Sequence, residues 1–246
     1  MALYDDILAA ASVIHAGSDP DNGDTNVADD SGNGNNGTRI PSAAGGPQWE
    51  TIAALGDRYG LRGTGAAGVE IEVNPPTLPL AAFAWFNHDS QLKSFSRVFS
   101  IRGSGSKDMS VYLTSLGQVF FRSPAGNVNT ASSAVAHSEL HHVGIGYDGA
   151  KYAFFLDGVE VLSPSPIAST APSLLWGYGL GTVGGNQTFD GIVADLILFD
   201  SIPADGITAT AAWLANSDNN LLTGEGEGGG STAFFPQTYL LQGGAL

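Results

Sequence analysis

The chain contains no cysteine, which excludes a disulfide framework and a thiolate zinc site. It is also poor in bases, since 9 Lys and Arg residues against 24 Asp and Glu residues give a formal net charge of −15. Binding to phosphates requires clustered Lys and Arg, so we expect neither nucleic acid nor an anionic membrane as a partner. No stretch approaches the roughly 18 consecutive apolar residues of a membrane-spanning helix.

The N-terminus also lacks the basic start of a signal peptide. Asp5 and Asp6 stand where such a peptide carries Lys or Arg. Together with the absence of cysteine, this predicts a protein that is made and folded in a cytoplasm.

The chain is instead rich in glycine and in short alternating runs. Among 246 residues there are 34 glycines, and 43% of the residues are hydrophobic. The clearest run is His141 to Val161, which two Asp-Gly pairs divide into three short strands of a meander. Val143, Ile145 and Tyr147 alternate with polar or glycine positions, which predicts a strand with one buried face. This pattern favours a single all-β domain with many turns.

Other stretches predict further elements. The nearly unbroken apolar run Leu80 to Asn87 predicts a strand at the centre of a sandwich. Leu3 to Ala11 and Ile207 to Ala215 predict short helices near the two ends of the domain. Asp19 to Thr38 is dense in Asp, Asn and Gly and predicts a loop, whereas Thr130 to Ala136 is consistent with a strand.

The composition changes after residue 216. Residues 217–232 predict a Gly-rich linker, and residues 233–246 form a separate apolar peptide. Such a peptide either pairs as an edge strand with its own domain or docks onto another chain. The residues expected to make this contact are Phe234, Phe235, Tyr239, Leu240 and Leu241.

Three separated stretches resemble the laminin-G-like, concanavalin A-like jelly-roll domains. Asp30 to Thr38 resembles their N-terminal Asp-Ser-Gly-Asn signature, and His141 to Gly158 resembles their His-His-Val…Tyr-Asp-Gly…Asp-Gly centre. Phe189 to Phe199 is similar to their closing strand. The opening, Leu3 to Ala10, resembles lead-ins of such domains in bacteriophage structural proteins. The resemblance implies an all-β, two-sheet antiparallel jelly-roll sandwich over residues 1–216, but this fold carries many functions.

The resemblance also implies a calcium site. Many relatives bind Ca²⁺ through the Asp of the signature loop and an acid of the closing strand, which here correspond to Asp30, the Asn33 region and Asp195. Ala194 stands where some relatives carry Asp, which removes a ligand. Alternation puts Ala194 and Asp195 on opposite faces, so Asp195 either binds the ion, faces solvent or contacts a neighbouring loop. The alternative for the signature loop is a set of Asx turns with no ion.

The sequence contains candidate residues for two further kinds of site. Trp176 and Tyr178, in a Gly-rich region, are candidate glycan-binding rings. Related glucanases use a Glu-x-Asp-x-Glu strand, and Glu70 and Glu72 share a face here, but Asn74 stands near the place of the third acid. We therefore expect no enzyme activity.

The histidines His137, His141 and His142 are expected to pack rather than to bind a metal. Adjacent residues of a regular strand point to opposite faces, so His141 and His142 cannot both ligate one ion.

These observations favour a non-enzymatic virion structural protein of a bacteriophage, either a capsid decoration protein or a tail-associated one. It would be assembled in the host cytoplasm and would contact other virion proteins, and host-surface glycans as well if it has an adhesive role. A homo-oligomer such as a trimer is expected. The alternatives are a lectin-like carbohydrate-binding module and an adhesin exported without a signal peptide.

Overall fold

The computed structural model describes most of the chain up to residue 223. The described residues are 2–18, 26–40, 48–64, 70–72, 81–88, 96–103, 109–123, 126–130, 132–147, 151–161, 175–179 and 189–223.

Strands dominate this part of the chain. Two α-helices are present, α1 (Ala2–Ala10) and α2 (Gly206–Leu214), with a short 3-10 helix at Ala53–Leu55. The strands are β1 (Ala11–His15), β2 (Asn26–Val27), β3 (Gly37–Ile40), β4 (Gln48–Ile52), β5 (Arg58–Thr64), β6 (Glu70–Glu72), β7 (Ala81–His88), β8 (Ser96–Gly103), β9 (Met109–Leu113), β10 (Val119–Ser123), β11 (Gly126–Asn129), β12 (Leu140–Tyr147), β13 (Tyr152–Leu156), β14 (Val159–Glu160), β15 (Leu175–Gly179) and β16 (Asp190–Phe199).

The strands form three antiparallel sheets. The largest has eight strands in the order β14-β13-β12-β7-β16-β5-β4, with β1 also paired to β16. The second has five strands in the order β11-β10-β9-β8-β15, and β2, β3 and β6 form a small third sheet. The expected concanavalin A-like jelly-roll sandwich is therefore confirmed, with the small third sheet added to it.

The main core lies between the eight-stranded and five-stranded sheets. Each sheet contributes alternate residues of its strands, as expected for two facing β-layers. Phe86 and Phe154 from the large sheet are fully buried with Phe99, Val111 and Phe121 from the smaller one. Tyr152, Phe154 and Leu156 also share this side, as the meander pattern indicates.

The other face of the eight-stranded sheet is buried under the two helices. Phe83, Phe155 and Phe199 pack there with Ile7 of α1 and Ala211 of α2. This double burial explains the apolar run of β7, because residues on both of its faces avoid water.

The meander prediction needs one correction, because β12 is buried on both faces rather than one. A Cβ added to Gly144 would collide with the Phe83 ring, and one added to Gly146 would collide with the Ile207 side chain of α2. The glycines therefore do not mark an exposed face. They give room for a ring and a helix to lie directly on the strand.

Both predicted helices are present within one residue of their expected bounds. The prediction of a strand at Thr130 to Ala136 was wrong. Residues 132–139 form turns and bends, and the strand lies earlier in the chain, at Gly126–Asn129. The loop expected at Asp19 to Thr38 contains the short strand β2 and the start of β3. None of the helices in the described chain is long and apolar enough to span a membrane.

The chain after α2 remains attached to the domain. The Arg58 guanidinium donates hydrogen bonds to the carbonyls of Asn219 (2.8 Å) and Ser217 (3.0 Å), and the Tyr4 hydroxyl donates to the carbonyl of Leu221 (3.1 Å). The folded part therefore extends beyond the expected boundary at residue 216. The rest of the expected linker and the peptide 233–246 with its five docking residues lie outside the described residues.

Candidate functional site

The outer face of the five-stranded sheet carries two parallel rows of side chains that run across the strands. In the first row, Arg97 of β8 lies opposite Tyr112 of β9, which lies opposite Phe120 of β10, which lies opposite Asn129 of β11. The second row crosses the same four strands in the order Ser100, Ser110, Arg122 and Asn127. We call these eight residues the polar platform.

Strand alternation explains why polar residues gather here. The residues between them, such as Val111, Phe121 and Val128, point inward into the core between the sheets. Directly opposite residues of an antiparallel pair lie on the same face, so each register pair places two outward side chains side by side.

Arg97 joins the two rows at the β8 end. Its Nη2 donates to the Tyr112 hydroxyl at 2.8 Å and its Nη1 donates to Ser100 Oγ at 3.3 Å. The guanidinium carbon also lies 4.9 Å from the centre of the Tyr112 ring, which is a cation–π contact. These contacts hold a buried cation in a fixed position.

Exposure of the platform increases toward the sheet edge. Ser110 and Tyr112 are buried, Phe120 and Arg122 are half-buried, and Asn127 and Asn129 at the β11 edge are exposed. The Phe120 ring meets the Tyr112 ring edge-on, with centroids 6.1 Å apart and planes at 67°. The more accessible part of the platform therefore consists of Phe120, which lies opposite the exposed Asn129, and Arg122, which lies opposite the exposed Asn127.

The glycan residues predicted from the sequence lie on the same sheet. Trp176 and Tyr178 belong to β15, which pairs with β8 at the end of the sheet opposite to β11. The register places Tyr178 opposite Ile101, with an irregularity between Leu175 and Tyr178. The side chains of Trp176 and Tyr178 lie outside the described part of the structure, so glycan binding by them stays a prediction.

The signature loop is organised by the neighbouring Asp29. Its carboxylate accepts hydrogen bonds from the backbone N–H groups of Ile14 (3.0 Å), Ser31 (3.0 Å) and Asn35 (2.8 Å), and from Ser31 Oγ (2.6 Å). Burial would raise the pKa of Asp29, but these hydrogen bonds outweigh it and hold the pKa below its usual value.

Asp30 and Asn33 also have partners within the fold. The Asp30 carboxylate accepts hydrogen bonds from the Ala16 N–H (2.9 Å) and from the Ser18 hydroxyl. The Asn33 side chain donates to the Ala11 carbonyl at 2.9 Å. This pattern matches the alternative of a loop closed by its own Asx-type hydrogen bonds.

Asp195 belongs to β16, on the helix-covered side of the eight-stranded sheet, and lies near enough to Asp30 of the loop for the Asp30 charge to help raise the pKa of Asp195. It is buried and forms an ion pair with the buried Arg58. A bulge in β16 and a positive φ of 47° at Asp195 break the alternation from which opposite faces were expected. Burial raises the pKa of Asp195 to about 6, although the Arg58 charge opposes this shift. The alternative of a solvent-facing Asp195 was wrong.

These contacts do not fit a calcium ion. Hydrogen-bond donors already point at the Asp30 carboxylate, and the Arg58 cation beside Asp195 would repel a divalent ion. The described residues contain no group of three or more His, Cys, Asp or Glu side chains that could hold a metal. Calcium binding by Asp30, Asn33 and Asp195 stays a prediction that calorimetry with Ca²⁺ can test.

Each of the three histidines packs against the ring of another residue. His142 stacks on Phe83 at 5.9 Å and meets Trp85 edge-on at 5.1 Å, whereas His141 packs on Phe86 at 5.8 Å from the other face. The expectation of opposite faces is confirmed for this pair. The third histidine, His137, is exposed and packs against the ring of His88.

The two acids of the incomplete glucanase-like motif lie in the small third sheet. Glu70 and Glu72 are the ends of β6, where they pair with Ile40 and Thr38 of β3. Their side chains are outside the described part of the structure.

Sequence reasoning missed the exposed part of the platform, although a signal for it was present. The run from Gln118 to Arg122 alternates in the sequence, which separates Phe120 and Arg122 from Val119 and Phe121, the two residues that point inward. What the run could not show is which strands lie beside it, since Asn127 and Asn129 belong to a strand that was not expected.

Comparison with known proteins supports the fold. No curated protein sequence matches the chain. Domain 4 of an extracellular arabinanase from Geobacillus stearothermophilus, solved with arabinotriose, superposes with a TM-score of 0.58 at 13% identity and covers 84% of this chain and 98% of that domain. A Trypanosoma rangeli sialidase solved with sialic acid superposes with a TM-score of 0.64 at 13% identity, covering 87% of this chain but only 34% of the sialidase.

A family model matches residues 63–204, which include the eleven strands from β6 to β16 and therefore the whole five-stranded sheet that carries the polar platform. The matched residues make up more than half of the chain and contain the central strands of both large sheets. The chain therefore belongs to the concanavalin A-like lectin/glucanases superfamily, in its laminin-G branch.

Proposed function

We propose that this domain is a non-enzymatic carbohydrate-binding module and that the polar platform is its binding surface. The observation that carries the proposal is the half-buried Phe120 ring, supported edge-on by Tyr112 and faced by the exposed Asn129. An accessible ring can stack on the apolar face of a sugar, while amide and guanidinium groups hydrogen-bond its hydroxyls. The arabinanase domain solved with arabinotriose has a similar fold and supports this choice.

The absence of carboxylates from this sheet favours binding over catalysis. Glycoside hydrolysis ordinarily uses two carboxylic acids that flank the scissile bond. The residues of β8, β9, β10, β11 and β15 include no Asp or Glu. A glycan lying on the platform would therefore meet no strand residue able to act as an acid or a nucleophile.

The virion role expected from the sequence has no support among these fold relatives and stays a prediction. The same holds for the expected oligomer, the location in a particle and docking by the C-terminal peptide. A glycan-binding platform is compatible with an adhesin and with adhesion by a virion protein.

A glycan array followed by calorimetry on the strongest binder tests the proposal. We expect Phe120→Ala to weaken binding at least about tenfold, because the stacking surface is lost. Phe120→Trp should retain binding, since it keeps an aromatic face. Tyr59→Ala is the matched control, because Tyr59 is an exposed ring on the other large sheet and its loss should leave binding unchanged.

Asn129→Ala provides a second variant that leaves the core intact, because Asn129 is exposed at the sheet edge. Binding that survives in both folded platform variants, or an array with no reproducible binder, would contradict the proposal.

A further inference from the structure

Accessibility of the polar platform differs from strand to strand. On β8 and β9 its residues are buried, and Ser110 and Tyr112 expose only 0% and 3% of their surface. On β10 the two platform residues are half-buried, and on β11 both are exposed. A ligand that binds the platform therefore contacts chiefly the residues of the last two strands, which we call the outer strip: Phe120, Arg122, Asn127 and Asn129.

The outer strip is two rows long and two strands wide. Phe120 lies opposite Asn129 in one row, and Arg122 lies opposite Asn127 in the next. The rows are two positions apart on each strand, so they lie about 7 Å from each other along the strand direction on one face of the sheet.

The strip ends at Gln118, the next residue on this face. The Gln118 side-chain amide donates to the Thr130 carbonyl at 3.2 Å, and its Oε1 accepts a hydrogen bond of 3.4 Å from the Thr114 hydroxyl. These contacts use the Gln118 amide to close the turn between β9 and β10. The groups that a ligand can reach are therefore those of the two rows.

Both rows contain an amide that the fold does not use. Among the described residues, neither the Asn127 nor the Asn129 side chain has a hydrogen-bond partner, and both are exposed. An amide offers two donor hydrogens and an acceptor oxygen, which suit the hydroxyls of a sugar. Each amide can bond a sugar without giving up a contact within the protein.

We propose that the outer strip binds a linear oligosaccharide of at least two units that lies along β10 and β11. This inference rests on the proposed function and names its ligand class and orientation. One unit stacks on the Phe120 ring, with the Asn129 amide beside it. The next unit lies over the row of Arg122 and Asn127, where the Asn127 amide bonds its hydroxyls.

The exposure of the neighbouring strands determines this direction. A chain that crossed from β10 toward β9 would place its second unit over Tyr112 and Ser110, which are buried, and the Tyr112 hydroxyl already accepts a hydrogen bond of 2.8 Å from Arg97. In the other direction, β11 is the end strand of its sheet within the described chain, so a second unit would extend past the platform. The strand direction places two consecutive units on platform residues.

NMR titration of the full chain with oligosaccharides of increasing length tests the inference. The probes are cello-, xylo-, manno-, galacto- and arabino-oligosaccharides of one to four units, and the method also measures the weak affinity of a monosaccharide. In the series that binds, we expect the second unit to raise the affinity at least about threefold, because it adds hydrogen bonds at the second row. The third and fourth units should each add less than the second.

The two exposed asparagines give a matched pair of variants. Asn127→Ala should remove the gain from the second unit and leave the monosaccharide affinity unchanged, whereas Asn129→Ala should weaken the monosaccharide and the oligosaccharides by the same factor. Thr51→Ala is the control, because Thr51 is an exposed polar residue on β4, the end strand of the other large sheet, and its loss should change neither affinity.

The outcomes distinguish the two proposals. Binding that Phe120→Ala removes, but with no gain from a second unit or with a gain that persists in Asn127→Ala, would overturn the orientation along the strands and keep the carbohydrate-binding function. Binding in none of the five series, together with no binder on the array, would overturn both.

Discussion

The outer faces of the two large sheets differ in what covers them and in what they contain. On the eight-stranded sheet, α1 and α2 bury Phe83, Phe155 and Phe199 in a second apolar core. On the five-stranded sheet, the corresponding face carries the polar platform and becomes progressively exposed toward β11. One outer face therefore stabilises the domain, and the other is the face to which the proposed function assigns a ligand.

The polar groups on the two faces also have different roles. On the helix-covered face, Arg58 and Asp195 neutralise each other and fix the chain after α2 through the Asn219 and Ser217 carbonyls. On the platform, polar groups lie in rows that end in the exposed Asn127 and Asn129. Arg58 is therefore a structural residue, whereas the platform residues that the proposed function assigns to a ligand are the half-buried or exposed ones near β11.

The largest expected effect comes from breaking the buried ion pair. Asp195→Ala leaves the Arg58 cation buried without its carboxylate, so we expect the free energy of unfolding to fall by about 3–5 kcal/mol in urea denaturation. Removing both charges, in Arg58→Met with Asp195→Leu, should destabilise much less.

On the platform side, Asn127→Ala should change stability by less than about 0.5 kcal/mol, because Asn127 is exposed. If Asp195→Ala and Asn127→Ala lowered the free energy of unfolding equally, the helix-covered face would not contribute more to stability than the platform face.

A smaller effect concerns pH and His142. Burial lowers the pKa of His142 to about 3, opposed by Asp157 and reinforced by Arg58. The unfolded chain binds this proton near the ordinary value of 6.5, so acid favours the unfolded state between about pH 6.5 and pH 3. Within that window this residue should reduce stability by up to about 1.4 kcal/mol for each unit of pH decrease.

The His142→Leu variant isolates this contribution. His15, whose pKa burial also lowers, and Asp195, whose raised pKa gives a slope of opposite sign, are present in both proteins and cancel in the comparison. We expect urea titrations between pH 4 and pH 6 to show a shallower loss of stability in the variant. Identical pH slopes would mean that His142 is not held neutral by burial.

Much of the fold could be predicted because its signals are local. The apolar run of β7, the Asp-Gly turns of the meander and the two terminal helices are each encoded within about ten residues of sequence. The fold resemblance then supplied the arrangement of the sheets, which alternation alone cannot give.

The site could not be predicted in the same way, because it depends on pairings between strands. Phe120 and Arg122 could be recognised as outward residues, but their neighbours depend on the register with β9 and β11. The pairing of Arg58 with Asp195 joins residues 137 positions apart and requires a bulge that no local pattern indicates. The alternation of β12 predicted that Gly144 and Gly146 lie on an exposed face. The alternation within one strand does not show that a distant residue, such as Ile207 of α2, packs on that face.

The central claim is that ligand binds the open platform and not the helix-covered side. The most direct measurement is the NMR shift of side-chain amides on titration with the strongest binder of the glycan array, since Asn127 and Asn129 lie on the platform and Asn219 lies buried near α2. We expect the amide signals of Asn127 and Asn129 to move with saturation while that of Asn219 stays in place. Shifts at Asn219 with none at Asn127 and Asn129 would contradict the claim.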